Sequence, residues 1–161
     1  MAFDIINPAT GEKVNSFEEM SASEVQSILE LSAGAQREWA ATSFAERARL
    51  MLSVARVLRD NKEEYARLMT EEMGKVYPQG IAEVEKCAWG CEYYAEHAEA
   101  FLASEDVPTE AERSFVTYKP LGVVLAVMPW NFPLWQVFRF AAPALMAGNG
   151  AVLKHAPNVF G

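Results

Sequence analysis

Asn131 is the residue whose type and position most clearly suggest chemistry. It lies in the loop Pro-Trp-Asn-Phe-Pro at 129–133, directly after the apolar run 122–127. If that run is a strand, the loop lies at a carboxyl end of the sheet, where open α/β sheets bind ligands. A rigidly held amide N–H group can stabilise negative charge developing on an oxygen atom. Asn131 can instead cap the following helix or fill the turn, and spacing alone favours that structural role.

Cys87 and Cys91 are the only cysteines, and their spacing of four places them on one helical face. A zinc site needs two more ligands, and His97 does not share that face. A reactive thiolate needs an electropositive, partly open pocket. We therefore predict two buried, small apolar residues and no metal site. Two cysteines cannot form a disulfide framework, which favours a reducing, cytoplasmic setting.

Charge is distributed unevenly along the 161 residues. The chain has 22 acidic and 14 basic residues, a net charge of −8, yet residues 120–161 carry only Arg139 and Lys154. Without clustered basic residues, an acidic chain is not expected to bind nucleic acid. A hydrophobic content of 51% predicts a sizeable core. Prolines, Asn131 and Arg139 interrupt the apolar tail, so no membrane span is predicted.

Two capping boxes, each a serine followed three residues later by glutamate, predict helices that begin after Ser21 and Ser43. The first is expected to extend to about Trp39. The second is longer and is expected to end at Gly74, with Lys75 set against the negative helix end.

Further elements follow from periodicity. Residues 3–6 and 13–14 predict two short strands around a Pro/Gly turn, and residues 115–118 predict another strand. Small and apolar side chains at steps of three and four predict a core-facing helix. These side chains are Ile81, Val84, Ala88, Cys91, Ala95, Ala98 and Leu102.

The last forty residues predict a right-handed βαβ unit. The continuous apolar run 122–127 is typical of a parallel strand covered on both faces. A helix over 134–147 and a strand over 151–154 follow. Gly148, Asn149 and Gly150 are interpreted as a turn, because a dinucleotide-binding glycine motif must follow a strand and open a helix.

Motifs along the whole chain resemble the NAD(P)-dependent aldehyde dehydrogenase superfamily. They are Asn-Pro-Ala-Thr-Gly-Glu at 7–12, Glu-Met-Gly-Lys at 72–75, the 129–133 loop, and Ala-Gly-Asn-Gly-Ala-Val-Leu-Lys at 147–154. The segments 86–89 and 154–158 are most similar to bacterial succinate-semialdehyde dehydrogenases. The resemblance implies a small-molecule aldehyde substrate, NAD or NADP as cofactor, and a homo-oligomer, a dimer or tetramer.

The resemblance also implies residue roles. Asn131 matches the oxyanion-hole amide, which steadies the thiohemiacetal formed when a cysteine attacks the aldehyde, and this match outweighs the structural alternative. Met128, Pro129 and Trp130 match the strand end that lines the cofactor cleft. Lys154 matches the lysine that contacts the adenosine ribose.

Three further positions, Phe132, Gln136 and Arg139, match residues that line the family's substrate tunnel. Arg139 is the only charge on an otherwise apolar helix, and its guanidinium suits a carboxylate. We hypothesise that Arg139 holds the distal carboxylate of a semialdehyde. A structural ion pair with an acidic residue elsewhere is an equal alternative.

The chain departs from the family pattern at Pro157, where many members have a glutamate that binds ribose hydroxyls and disfavours a 2′-phosphate. The missing negative charge predicts that NADP is accepted as well as NAD.

The family mechanism uses a thiolate nucleophile and a glutamate base, both expected well downstream of the residue matched by Lys154. Neither is expected in this chain. One interpretation is the N-terminal part of an aldehyde dehydrogenase, with the activity in the complete subunit. The other is a catalytically inactive fragment or an oligomerisation or interaction module.

The predicted fold class is α/β: a helical N-terminal region plus the first βαβ unit of a dinucleotide-binding, Rossmann-like domain. Residues 1–112 form the mainly helical part, 113–120 an edge strand used in oligomerisation, and 121–161 the start of the parallel core. Two parallel strands do not make a stable doubly wound sheet, so the sequence looks truncated.

Overall fold

The structure is a computed structural model, and it describes residues 2–161. Five helices and three two-stranded sheets make up an α/β fold, as the sequence predicts. In chain order the elements are β1 (Ala2–Ile6), β2 (Lys13–Glu18), α1 (Ala22–Ala40), α2 (Phe44–Asp60), α3 (Lys62–Met73), α4 (Tyr77–Phe101), β3 (Glu105–Asp106), β4 (Phe115–Val116), β5 (Val123–Val127), α5 (Pro133–Met146) and β6 (Gly150–Lys154).

Both predicted capping boxes are present. The Ser21 hydroxyl accepts a hydrogen bond from the backbone N–H of Glu24 at 3.3 Å, and the Glu24 carboxylate accepts one from the backbone N–H of Ser21 at 2.7 Å. Ser43 and Glu46 make the same reciprocal pair at 3.2 and 2.8 Å. Each box satisfies two backbone donors that a helix start otherwise leaves unpaired, which fixes where α1 and α2 begin.

The prediction of one long helix from Ser43 to Gly74 is wrong, because the chain breaks at Asn61 into α2 and α3. The Asn61 backbone and side-chain N–H groups both donate to the Val57 carbonyl, at 3.1 and 2.8 Å. An asparagine side chain that bonds to the preceding turn competes with helix continuation. The predicted end at Gly74 is confirmed, since Gly74 is left-handed with φ 73°.

The core lies between α4 and the three helices α2, α3 and α5. The predicted apolar stripe of α4 faces it, and Val84, Cys87, Ala88 and Cys91 are fully buried. From the other helices the buried core residues are Met51, Ala55, Leu58, Met69, Ala142 and Met146. This packing holds α5, and therefore the loop before it, against α4.

The strands β5 and β6 pair in parallel, with Val123 opposite Gly150 and Val127 opposite Lys154. The predicted βαβ order is confirmed. Coverage on both faces is not, because Leu125 and Val127 of β5 are 66% and 65% exposed among the described residues. Helix α1 also packs against this unit: the Gln36 amide donates to the Gly148 carbonyl at 3.0 Å, and the Trp39 indole N–H donates to the Leu145 carbonyl at 2.8 Å.

Two short segments differ from the predicted bounds. The strand expected over 115–118 contains only Phe115 and Val116, paired antiparallel with β3, while the Tyr118 hydroxyl donates to the Glu105 carboxylate at 2.7 Å. In the predicted glycine turn, Gly148 is left-handed with φ 86°, whereas Gly150 already belongs to β6. None of the helices formed by residues 2–161 is both long enough and apolar enough to cross a membrane.

Candidate active site

The carboxyl ends of β5 and β6 lie side by side. Val127 is in register with Lys154, and the Met128 backbone N–H donates to the Lys154 carbonyl at 3.0 Å. The loop 129–132 therefore leaves the sheet beside Lys154. Parallel sheets bind ligands at this end, so the structure places the predicted oxyanion loop and the predicted cofactor lysine at one edge.

Asn131 is exposed, and its side-chain amide makes no hydrogen bond with any residue in the range 2–161. The helix-capping alternative is wrong, because the N-cap of α5 is Phe132 and no side chain of the loop caps that helix. The backbone carbonyl of Asn131, in contrast, is held: it accepts a hydrogen bond from the Lys75 ammonium at 3.0 Å. The residue thus combines a fixed backbone with a free amide.

The start of α5 is capped from α4 by Glu83. One carboxylate oxygen of Glu83 accepts hydrogen bonds from the backbone N–H groups of Leu134 and Trp135, at 3.0 and 2.9 Å. Glu83 is only 4% exposed. A carboxylate at a helix N-terminus satisfies unpaired N–H groups and is stabilised by the helix dipole.

Lys75 is the partner of that buried carboxylate. Its ammonium forms an ion pair with the second carboxylate oxygen of Glu83 and lies 3.9 Å from the centre of the Phe132 ring. The sequence prediction that Lys75 offsets the end of the preceding helix is wrong, because the side chain is buried and points instead to Glu83 and Asn131.

Sequence reasoning missed Glu83 and assigned Lys75 another role. A signal for Glu83 existed: it is a single carboxylate on the buried face of α4, three residues after Gly80 and four before Cys87. A charge at such a position is rarely buried without a partner. The partner itself could not be identified from local spacing.

The predicted substrate residues lie along α5. Steps of four and three residues from Phe132 to Gln136 to Arg139 place them on one helical face. Arg139 is exposed, and its guanidinium makes no ion pair with any acidic residue between positions 2 and 161. Within these residues, the structural ion pair that we considered as an alternative is not formed.

A cleft of about 220 Å³ opens beside the ends of β5 and β6, between α3 and α5. Met128 and Pro129 line it, together with Leu134 and Val137 on the opposite face of α5 from Arg139. The structure therefore brings Met128 and Pro129 into this cleft but does not bring Asn131, Trp130 or Arg139 into it. Trp130 and Lys154 are exposed at the sheet edge.

Both cysteines are free and buried, as predicted. Burial raises the pKa of the Cys87 thiol well above its ordinary value, and it raises the pKa of Cys91 to about 11. A thiol of this kind stays protonated near neutral pH, so neither cysteine is a nucleophile.

Comparison with known proteins agrees with this architecture. The profile described as "Aldehyde dehydrogenase family" matches residues 1–160. This chain belongs to the aldehyde dehydrogenase family. A relative from Synechocystis sp., described as a probable succinate-semialdehyde dehydrogenase (NADP(+)), is 54% identical over 99% of this chain and 35% of its own length.

Two other relatives support the assignment to aldehyde dehydrogenases. The succinate semialdehyde dehydrogenase (NAD(P)+) Sad of Escherichia coli is 46% identical over 97% of this chain and 34% of its own length. The crystal structure of succinic semialdehyde dehydrogenase from Streptococcus pyogenes, in complex with NADP+, superposes with a TM-score of 0.93. The two sequences are 35% identical, and the superposition covers 98% of this chain and 35% of the Streptococcus pyogenes chain. The chain thus spans about a third of these aldehyde dehydrogenases.

Proposed function

We propose that this chain is the N-terminal third of an aldehyde dehydrogenase that oxidises succinate semialdehyde to the dicarboxylate with NAD or NADP. The relatives from Synechocystis and Escherichia coli carry that substrate and those cofactors in their names. The observation on which the proposal depends is the free amide of Asn131, exposed at the carboxyl end of β5 while its own backbone is anchored.

Asn131 acts on the carbonyl oxygen of the aldehyde. When a thiolate adds to the aldehyde carbon, negative charge moves to that oxygen, and a preorganised N–H donor stabilises it. The amide of Asn131 has no partner within residues 2–161 that must be displaced first. It is therefore available to donate to the oxyanion.

The residues at the sheet edge fit a nicotinamide dinucleotide. The Lys154 ammonium is exposed and has no ion-pair partner within residues 2–161, so it can bind the ribose or its phosphate. Met128, Pro129 and Trp130 supply apolar surface beside it. When bound, the dinucleotide accepts the hydride of the aldehyde. The role of this chain is to orient the cofactor at the sheet edge formed by Val127 and Lys154.

The nucleophile and the base are proposed to come from parts of the complete subunit outside these 161 residues. Cys87 and Cys91 are the only cysteines here, and burial keeps both protonated. Their packing against α2 and α5 gives them a structural role.

Arg139 is proposed to select the substrate, with Phe132 and Gln136 lining the approach. Its guanidinium is exposed on an apolar helix and unpaired within the described residues, so it can form a bidentate contact with the distal carboxylate of a semialdehyde. An uncharged aldehyde of the same length cannot make that contact.

The test is Arg139→Met in the complete subunit, assayed with succinate semialdehyde and with butanal. Loss of a charge-assisted hydrogen bond should lower kcat/KM for the semialdehyde by roughly 10- to 100-fold and leave butanal nearly unchanged. Arg56→Met, at an exposed position of α2, is the matched control. Equal losses with both substrates contradict the role of Arg139, and a parent subunit that oxidises neither aldehyde contradicts the proposed function.

Subunit association is proposed to use residues 113–120, which contain β4, in a cytoplasmic homo-oligomer. Phe115, Val116 and Tyr118 are all exposed there, so the strand presents both an unpaired edge and apolar side chains. The free, buried state of both cysteines is compatible with a reducing compartment.

A further inference from the structure

We propose that Lys75 and Glu83 are positioning residues that hold Asn131 in the geometry needed to bind the oxyanion. The inference rests on the proposed role of Asn131. It concerns two side chains that contact no aldehyde and act through the backbone of the loop before α5.

One ion pair holds the backbone at Asn131 and in the residues that follow it. The Lys75 ammonium donates to the Asn131 carbonyl at 3.0 Å. Glu83 binds the backbone N–H groups of Leu134 and Trp135, which start α5. The ion pair between Lys75 and Glu83 joins the two contacts. Three backbone atoms between 131 and 135 are therefore tied down, two by Glu83 of α4 and one by Lys75 in the connection before α4.

The pair is costly to bury, and that cost argues for a role beyond stability. The side chains of Lys75 and Glu83 are 6% and 1% exposed. Apolar residues of the same volume often stabilise a fold as well as a buried ion pair does. Every buried side-chain polar atom among residues 2–161 has a partner, so this network is fully satisfied. A fully satisfied polar network fixes one geometry more strictly than apolar packing does.

The Phe132 ring completes the arrangement. Its centre lies 3.9 Å from the Lys75 ammonium, and the ring follows Asn131 directly in sequence. The cation–π contact and the hydrogen bond to Asn131 act on adjacent residues, so the same ammonium restrains two successive positions of the loop. Displacement of the amide by about 1 Å is enough to cost roughly 100-fold in rate.

The test uses the double variant Lys75→Met/Glu83→Gln in the complete subunit. This variant leaves no unpaired buried charge, and glutamine retains an acceptor for the two N–H groups of α5. We expect kcat to fall by about 10- to 100-fold while KM changes by less than about threefold. The matched control is Lys62→Met/Glu85→Gln, a surface pair at 2.7 Å that also joins α3 to α4. It should change kcat by less than about twofold.

A cycle with Asn131→Ala separates positioning from general destabilisation. If the pair acts through Asn131, the double variant should lower kcat by less than about threefold in the Asn131→Ala background. An undiminished loss in that background overturns the inference. If Asn131→Ala itself leaves kcat unchanged, the proposed oxyanion role fails instead. Should the double variant not fold, Glu83→Gln alone enters the same cycle with the same expected pattern.

Hydrogen exchange provides a readout that needs no activity. Loosening of the network should speed amide exchange in the peptide covering 130–136 by about tenfold or more, because opening of the Leu134 and Trp135 amides then costs less. The peptides of α1 should exchange at the parental rate. Exchange that stays unchanged at 130–136, with kcat also unchanged, overturns the inference.

Discussion

Pro157 places an uncharged, exposed ring three residues after Lys154, in the turn that follows β6. If Lys154 contacts the ribose as proposed, a glutamate at this position would put a negative charge near the ribose and repel a 2′-phosphate. In the complete subunit, Pro157→Glu should lower kcat/KM for NADP by roughly tenfold or more and change the value for NAD less. Pro157→Gln, which adds the same length without charge, should retain the parental ratio. An unchanged NADP-to-NAD ratio in Pro157→Glu contradicts the prediction.

At the scale of single residues, the sequence predicted the residues that lie in short motifs and missed those whose partners are distant in the chain. Asn131 and Lys154 lie in short motifs, and the structure places both at the predicted sheet edge. Lys75 and Glu83 act across space. The contact from Lys75 to Asn131 spans 56 positions, and no periodicity within one helix encodes such a partner. Their joint role is visible only when α4 and α5 pack together.

The contact between α3 and α4 depends on a glycine. A Cβ atom at Gly80 would lie 3.0 Å from both the Cα and the Cβ of Ala66, which is too close for the two backbones to keep their positions. Gly80→Ala should therefore lower the free energy of unfolding by about 1–3 kcal/mol, although alanine is the better helix former. Denaturant unfolding measures the change.

Gly34→Ala in α1 is the matched control for this element. No atom lies within 4 Å of a Cβ built at Gly34, so the substitution should gain helix propensity and raise the free energy of unfolding by up to about 1 kcal/mol. The two identical substitutions are thus expected to have opposite signs. A stabilising Gly80→Ala would show that α3 and α4 adjust more easily than their close approach indicates.

At the scale of elements, helix boundaries marked by a local motif were predicted, and the break at Asn61 was not. Capping boxes are local hydrogen-bond patterns, and both helices begin after the predicted serines. The break at Asn61 accompanies a hydrogen bond from its side chain to the Val57 carbonyl. The sequence on both sides of Asn61 is helical, so the flanking residues do not indicate the break. The apolar run of β5 indicates a strand correctly, but the composition of a strand does not specify which neighbours cover Leu125 and Val127.

At the scale of the whole molecule, residues after β6 tie distant parts of the chain together. The Phe160 ring stacks on Phe17 and Phe3 of the first hairpin, with ring centres 4.9 and 5.5 Å apart. The Gly161 backbone N–H donates to the Glu72 carboxylate at 2.9 Å, which links the same segment to α3. The first hairpin and α3 are therefore held by a segment more than eighty residues later in the sequence.

The Glu72 carboxylate makes this linkage dependent on pH. Burial raises the pKa of Glu72 above its ordinary value of 4.5, and the hydrogen bonds from the Gly161 and Phe160 backbones offset only part of that effect. The folded state therefore binds more protons than the unfolded state just above pH 4.5, so the contribution of Glu72 to stability falls as pH rises through that range. Glu72→Gln retains an acceptor for the Gly161 N–H group and removes the titration. The melting temperature of Glu72→Gln should rise relative to the parent between pH 4 and pH 8, whereas Glu64→Gln, exposed on the same helix, should show no such relative rise. If the melting temperatures of the parent and of Glu72→Gln changed with pH in the same way, the pKa of Glu72 would be the same in the folded and unfolded states. The hydrogen bonds from the Gly161 and Phe160 backbones would then offset the whole effect of burial.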